Sequence, residues 1–207
     1  MQHRSNYDLQ VDMAREIFRQ YDARALAQKF GLKADDAYAY LTYLGAELRI
    51  CLQRGQIDER QEGVWQECRN FSTVMTVYDL LCHHKGDRLP LPSGKWQPIG
   101  SFVMGGVQDT GRFTKDCAAC FQKNFASLPA ACEALGGMVQ PSLAGADLTC
   151  LFPVTDFFSL MLQFWLEDED FPPKITLLWD STALQLLHFE TTFYLQQDLL
   201  DRLRSRL

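Results

Sequence analysis

The sequence predicts an α+β protein, with an antiparallel sheet formed by the C-terminal half, a small N-terminal meander, and amphipathic helices packed on both. Three observations lead to this prediction. Apolar residues recur every three or four positions in several segments, which is the period of a helix with one buried face. Towards the C-terminus, segments of strand length are rich in bulky side chains and are separated by short intervals, which favours antiparallel pairing. An apolar fraction of 47% over 207 residues supplies enough side chains for a substantial core.

The N-terminal part of the chain contains two predicted helices, then a meander, then a third helix. Leu9, Met13 and Ile17 recur at helical spacing, and Asp22 is a suitable cap for a second helix after a break. Tyrosine and aliphatic residues alternate over residues 37–59, which predicts short antiparallel strands. The next intervals of three or four residues predict one continuous helix with an apolar stripe of Val64, Cys68, Phe71, Met75, Tyr78 and Cys82.

The remaining elements follow a connection over residues 86–111 that is rich in proline and glycine. These residues forbid long regular elements and predict an ordered loop, which is either a functional lid or a simple connection. Helical spacing resumes over residues 113–128, Pro129 begins another helical segment that runs to Gly136–Gly137, and an amphipathic helix ends the chain. Three strands are predicted between them, over residues 146–154, 156–167 and 174–180. We therefore expect one domain over residues 1–207, with the proline- and glycine-rich loop as the place of any subdivision.

Composition and charge exclude several classes of function. The net charge of -6 and a pI near 5.2 give no general attraction to a phosphate backbone, so a nucleic-acid partner is not expected. No run approaches the roughly 20 apolar residues that cross a bilayer, and the N-terminus lacks a signal-peptide core, which predicts a cytoplasmic protein without a membrane partner. The seven cysteines are then expected to be reduced thiols. Nucleotide-binding, zinc-protease and calcium-loop motifs are all missing from the sequence.

The acidic run Glu167, Asp168, Glu169 and Asp170 is the first candidate site. Four carboxylates at a hairpin tip could coordinate a divalent cation, and their mutual repulsion would raise at least one pKa. However, adjacent residues of an extended chain point in alternate directions, and water solvates charge well at such a tip. A solvated turn is therefore favoured over a metal site, and Asp168 and Glu169 remain candidates for acid–base chemistry.

Asp180 and His188 are the other catalytic candidates. Asp180 follows a predicted strand directly and precedes two hydroxyl residues, a pattern that fits a catalytic base but is more typical of a turn or helix cap. His188 could act as a general base with Glu190 or with the acids near residue 168, because a carboxylate partner moves an imidazole pKa across neutrality. A packed histidine bonded to a carbonyl is the commoner arrangement. The pair His83–His84 is placed at a helix end, where a positive charge suits the dipole.

The pair Cys117 and Cys120 has the spacing of redox and zinc sites. A tetrahedral zinc site needs two more ligands, and no second pair at ligand spacing follows. The pair also falls in the middle of a predicted helix, on its apolar stripe. Core thiols are the favoured interpretation, and no metal is predicted at this position.

Large aromatic residues suggest a ligand pocket. Trp96, Phe102 and Met104 occur in the proline- and glycine-rich loop, where they could cover an apolar or planar ligand. Trp165 and Trp179 occur at the ends of two predicted strands and would form the floor. The four candidates for cofactor binding are thus Trp96, Phe102, Trp165 and Trp179, with the cofactor itself undetermined.

Several segments together resemble a known family. They are YLG at 43–45, VYDLL at 77–81, PSGKWQP at 92–98, EALGG at 133–137 and the run from Phe152 to Glu190. These resemble bacterial and archaeal proteins catalogued only as a domain of unknown function, over about residues 22–203. The resemblance implies a place in anaerobic metabolism, as an accessory to a metal-containing cofactor, because some relatives occur beside iron–sulfur or corrinoid methyl-transfer proteins. It transfers no catalytic residues, and this chain lacks the cysteine-rich segment of some longer relatives.

Three hypotheses follow for the function, in order of preference. The first is a binding or accessory protein with a pocket for a small molecule or cofactor. The second is an enzyme of the hydrolase or lyase type that uses a cluster of carboxylates and His188. The third is a protein–protein interaction module, in which the last helix or a sheet edge meets another protein.

Overall fold

The computed structural model describes residues 5–102 and 112–207. The chain divides into two compact units: the first comprises the residues up to 91 together with 184–195, and the second comprises 92–183 together with 196–207. Each unit contains one five-stranded antiparallel sheet and helices, so the predicted α+β class is confirmed. The single-domain expectation stays a prediction.

Two short helices open the first unit. Helix α1 (Asn6–Phe18) begins with a capping box, in which Ser5 and Asp8 exchange hydrogen bonds between side chain and backbone. Helix α2 (Ala23–Lys29) begins at Asp22, whose carboxylate accepts hydrogen bonds from the backbone N–H groups of the next turn. The predicted break near Asp22 is confirmed.

The sheet of the first unit is a simple meander. Its strands are β1 (Lys33–Ala34), β2 (Tyr38–Tyr43), β3 (Ala46–Cys51), β4 (Ile57–Gln61) and β5 (Val64–Glu67). They lie in chain order, and each pairs with its neighbour in antiparallel fashion. Along β2, buried residues alternate with more exposed ones, which matches the period of two expected for a sheet with one covered face. The predicted N-terminal meander is therefore confirmed.

The predicted helix from Val64 to Cys82 is wrong in its first third. Helix α3 spans Phe71–Cys82 and begins at Asn70, whose side chain accepts the backbone N–H of Thr73. Val64 instead begins strand β5, because Glu62–Gly63 adopts positive φ angles of 50° and 82° and turns the chain back on β4. A helical spacing of apolar residues thus continued across a hairpin by coincidence.

Tyr78 connects helix α3 to the end of the meander. Its hydroxyl donates a hydrogen bond of 2.6 Å to the carbonyl of Gly55, and its ring lies 5.9 Å from that of Phe18. Gly55 has a φ of +71°, and a Cβ there would lie 3.1 Å from the Phe18 ring. Glycine is therefore required at this turn both by the backbone and by the close approach of α1.

The second unit contains the sheet predicted from the C-terminal half. Its strands are β6 (Trp96–Pro98), β7 (Met138–Gln140), β8 (Leu148–Thr155), β9 (Phe158–Trp165) and β10 (Lys174–Asp180), in the spatial order β6-β10-β9-β8-β7. The three long strands are the predicted ones. The two short edge strands were not predicted, because three residues are too few to show a period.

Helices α4 (Arg112–Lys123) and α5 (Leu128–Ala134) belong to the second unit, and α6 (Phe189–Arg204) contributes residues to both units. The ring of Phe121 on α4 meets that of Phe164 on β9, with centroids 6.0 Å apart. These helices confirm the predicted amphipathic segments. No helix among the described residues combines the length and the apolar character needed to span a membrane.

Candidate functional site

The acidic run lies in an exposed turn between β9 and β10. The Oδ1 atom of Asp168 accepts hydrogen bonds from the backbone N–H groups of Asp170 at 2.9 Å and Phe171 at 2.8 Å. All four acids from Glu167 to Asp170 are exposed. Asp168 therefore closes the turn through local contacts, as aspartate side chains commonly do.

Asp180 ends strand β10 and is buried among hydrogen-bond donors. Its carboxylate accepts from the backbone N–H and hydroxyl of Ser93, the N–H of Gly94, and the N–H and hydroxyl of Thr182, at 2.7 to 3.1 Å. Burial alone would raise the pKa of this carboxyl, but the hydrogen bonds from Thr182 and Ser93 outweigh it and lower the pKa to about 2. Both oxygens are engaged, which favours a structural role at this position over that of a base.

The two tryptophans proposed as the floor of a pocket differ in exposure. Trp179 is 1% exposed and packs against Phe158, with ring centroids 6.4 Å apart, so it is part of the core of the second unit. Trp165 is half-buried at the end of β9, and the ammonium of Lys174 lies 5.3 Å from its ring centroid. Of these two rings, Trp165 is the one with a surface open to a ligand.

The loop residues of the proposed pocket lie partly in regular structure. Trp96 begins strand β6 and stands opposite Asp180 in the antiparallel register, so it does not belong to a free loop. Phe102 follows a short 3-10 turn at Ile99–Ser101 and is half-buried. Met104 lies outside the described residues.

His188 is the sequence candidate around which other chemically active side chains gather. It precedes helix α6, and its Nδ1–H donates to Oδ1 of Asp79 at 2.6 Å, while its backbone N–H donates to Oδ2 of the same carboxylate at 2.7 Å. The Nε2 atom of His188 lies 3.2 Å from Nδ1 of His83. One imidazole thus bridges a carboxylate and a second imidazole.

Asp79 and His83 occupy successive turns at the end of helix α3. Residues four apart lie on the same face of a helix, so the Asp-x-x-x-His spacing brings both side chains to one side. His83 Nε2–H donates to the carbonyl of Leu184 at 3.3 Å, which fixes the orientation of its ring. The segment before α6 therefore contributes a carbonyl acceptor and a histidine to the same group.

The hydrogen bonds to Asp79 and to the carbonyl of Leu184 determine which ring nitrogens of His188 and His83 carry lone pairs. With the Nδ1–H of His188 directed at Asp79 and the Nε2–H of His83 directed at Leu184, the neutral rings present lone pairs on their two inner nitrogens. These inner nitrogens, Nδ1 of His83 and Nε2 of His188, face each other at 3.2 Å. Two lone pairs at that distance repel each other unless a cation, either a proton or a metal ion, lies between or beside them.

Burial and charge differ among the three side chains of this cluster. The Asp79 side chain is 15% exposed and that of His188 is 61% exposed, so the carboxylate is sheltered and the imidazole is open to solvent. Burial, and secondly the nearby His188 ring, lower the pKa of His83. A lowered pKa keeps the His83 lone pair available near neutral pH, and a metal ligand requires a free lone pair.

The spacing within the cluster is compatible with a metal ion. Ligand atoms of Asp79, His83 and His188 lie within 4.8 Å of one another, and they form the one such group found in the part of the chain that the structure describes. Two nitrogens bound to a tetrahedral ion at about 2.0–2.1 Å lie roughly 3.3 Å apart. The observed separation of 3.2 Å between the inner nitrogens is close to that value.

His84 is adjacent to His83 in the chain but does not face the cluster. Its Nδ1 lies 3.1 Å from the carbonyl oxygen of Gln185 and its Nε2 lies 2.8 Å from that of Arg88. Both ring nitrogens are therefore engaged by the backbone. His84 is not part of the cluster, and it offers a matched control for experiments on the other two histidines.

Sequence reasoning identified His188 but not its partners. The carboxylate that contacts it is Asp79, whereas the sequence suggested Glu190 or the acids near residue 168. His83 was interpreted as a charge at a helix end. The Asp-x-x-x-His spacing at the end of α3 was the available signal, although it gives no information about which distant residue completes the group.

The paired cysteines Cys117 and Cys120 lie on helix α4. Cys117 is fully buried, and burial raises its pKa to about 11, whereas Cys120 is partly exposed. Neither belongs to a group of metal-ligating side chains among the described residues. These observations support the interpretation of Cys117 as a core thiol.

The fold and the cluster define an α+β protein with a surface group of two histidines and one carboxylate. The chain belongs to the family described as Domain of unknown function (DUF3786), whose model matches residues 22–202. No curated protein and no solved structure matches the chain. The family match covers Asp79, His83 and His188.

Proposed function

We propose that this protein binds a divalent transition-metal ion through Nδ1 of His83 and Nε2 of His188, with Asp79 orienting the second imidazole. The observation that carries this proposal is the 3.2 Å separation of the two inner nitrogens, at a place where both outer nitrogens already donate to protein acceptors. A cation between or beside these nitrogens removes the repulsion of their lone pairs. Zinc, copper, nickel and iron all accept imidazole ligands.

The role proposed for Asp79 is that of a positioning residue. A carboxylate that accepts the outer N–H of a ligating histidine fixes the tautomer and increases the basicity of the inner nitrogen. Asp79 makes this contact with His188 at 2.6 Å, and the carbonyl of Leu184 makes the corresponding contact with His83. The cluster is therefore oriented for a metal by contacts that do not use the metal-binding atoms.

At the level of the whole protein, we propose a binding or accessory role rather than a structural metal site. Structural zinc sites supply four protein ligands, whereas this cluster supplies two nitrogens near the surface. Such an ion would be accessible and exchangeable. A cytoplasmic location and a place in anaerobic metabolism, the latter expected from the family resemblance, belong to this proposal. The aromatic pocket near Trp96, Phe102, Trp165 and Trp179 stays a separate prediction.

The test is metal binding by purified, chelator-treated protein. We expect one equivalent of Zn²⁺ or Co²⁺ to bind in isothermal titration calorimetry, and His83→Ala and His188→Ala to abolish that binding while the circular dichroism spectrum is unchanged. His84→Ala is the matched control, because both of its ring nitrogens face carbonyl groups. Wild-type affinity in both His83→Ala and His188→Ala would refute the proposal.

A hydrolase or lyase is the second candidate function. The exposure of His188 favours it, because an accessible metal ion can hold a water molecule and lower its pKa towards neutrality. In such an enzyme His188 would act with Asp79 and His83. The acid–base roles predicted from sequence for Asp168, Glu169 and Asp180 would not be needed. Hydrolysis of activated esters and phosphoesters by the metal-loaded protein, absent in His188→Ala, would distinguish it from a purely binding role. An interaction module without chemistry stays the third prediction.

A further inference from the structure

We infer that the metal ion held by His83 and His188 takes a small oxyanion, such as a carboxylate or phosphate, as an additional ligand. This inference rests on the proposed metal site and names the chemical class of molecule that the site would recognise. Three features of the cluster lead to it: the number of protein ligands, the charge that they leave on the ion, and the way in which the end of helix α3 is neutralised.

The protein supplies too few ligands to complete a coordination shell. Both oxygens of Asp79 already accept hydrogen bonds from His188, Oδ1 at 2.6 Å and Oδ2 at 2.7 Å, so this carboxylate orients a ligand instead of serving as one. In residues 5–102 and 112–207, no further histidine, cysteine or acid joins the group. A four-coordinate ion would therefore keep two positions for molecules from solution.

The charge of the site favours an anion at those positions. Two neutral imidazoles leave the full charge of +2 on a divalent ion, and Asp79 offsets one unit, so the site retains about one positive charge. A small oxyanion compensates this charge and brings the hard oxygen atoms that divalent metals accept. The 61% exposure of the His188 side chain leaves a path for such a molecule from solvent.

The end of helix α3 would ordinarily oppose an anion, because its last carbonyls carry partial negative charge. Here the carbonyl of Cys82, the last helical residue, and that of His84, just beyond the helix, accept hydrogen bonds from donors. The carbonyl of Cys82 accepts hydrogen bonds from Tyr21 and from the ammonium of Lys85, and the carbonyl of His84 accepts one from the ammonium of Lys29. Two lysines therefore place positive charge at the end of helix α3, which offsets the partial negative charge there.

Carboxylates and phosphate share this chemistry but come from different sources, so both are used as probes. Oxalate represents a bidentate carboxylate of the kind found in small organic acids, and inorganic phosphate represents a phosphoryl group. If the natural ligand is a carboxylate, we expect oxalate to bind more tightly than phosphate. The reverse order assigns the site to phosphorylated molecules.

The experiment follows the visible absorption of Co²⁺ bound to the full-length protein. We expect oxalate or phosphate to shift the cobalt bands in a saturable way while cobalt remains with the protein on gel filtration, and calorimetry to detect no anion binding to the metal-free protein. His84→Ala should respond as the wild type does. Bands that do not change with either anion, or anions that strip cobalt from the protein, would overturn the inference while leaving the metal site in place. Failure of cobalt to bind at all would instead refute the proposed function and this inference with it.

Discussion

Two aspartates in this protein are surrounded by different hydrogen-bond donors. Asp180 in the second unit and Asp79 in the first are both sheltered from solvent and both accept hydrogen bonds through each oxygen. The donors to Asp180 are amide and hydroxyl groups, none of which titrates near neutral pH. Asp79 receives an imidazole whose other nitrogen remains available. The nature of the donors, rather than burial, is therefore what distinguishes the structural contacts of Asp180 from the positioning role that we propose for Asp79.

The largest expected effect tests the structural side of this comparison. Asp180→Ala removes the common acceptor of the hydrogen bonds from Ser93, Gly94 and Thr182 and leaves these partly buried donors without it, so we expect the free energy of unfolding to fall by about 3 kcal/mol. Urea denaturation measures this loss. Metal affinity should be unchanged, and a fall in metal affinity at constant stability would contradict the division of roles between the two aspartates.

The corresponding change in the proposed metal site is Asp79→Asn. The amide keeps the shape of the carboxylate but cannot accept equally well from His188 at both positions, so we expect metal affinity to fall by about tenfold to a hundredfold. Calorimetry with Zn²⁺ provides the measurement. Glu190→Gln is the control, because Glu190 was the partner suggested by sequence; an equal loss in that variant would show that general surface charge is responsible.

Acid unfolding tests the contribution of the Asp180 carboxylate to stability. The pKa of Asp180 in the folded protein is lowered to about 2, below its ordinary value, so its stabilising contribution is fully present above about pH 4 and is lost as pH falls towards 2. A shift of this size corresponds to about 2 kcal/mol. Wild-type stability should therefore decline in this window more steeply than that of Asp180→Asn. If stability declines equally steeply with pH in the two proteins, the carboxylate of Asp180 is not the source of the pH dependence.

The smallest effect is expected at the acidic turn. Asp168 is exposed, and its carboxylate accepts hydrogen bonds from the nearby backbone N–H groups of Asp170 and Phe171, so Asp168→Ala should lower the free energy of unfolding by about 0.5 kcal/mol. The affinity for Zn²⁺ should equal that of the wild type. A clear loss of metal binding in this variant would restore the acidic run as a metal site and would weaken the assignment to His83 and His188.

Prediction from sequence succeeded where the signal was local. The cap at Asp22, the alternation along β2 and the three long strands of the second sheet were all visible in short windows, because caps and periodic burial act over a few residues. The error at Val64 has the same origin. Its spacing to Cys68 and Phe71 fits a helix, whereas the turn at Glu62–Gly63, which redirects the chain, leaves no trace in that spacing.

The sequence by itself determined the α+β class, the order of most helices and strands and the family, and it singled out His188 as a candidate. Only the tertiary structure decided what His188 contacts. Asp79 is 109 positions away and His83 is 105 positions away in the chain. Periodicity and capping report on neighbours in sequence, whereas contacts over such separations depend on how the elements of the first unit pack. The chemistry of the candidate site is therefore a property of that packing, expressed through residues whose types the sequence already displayed.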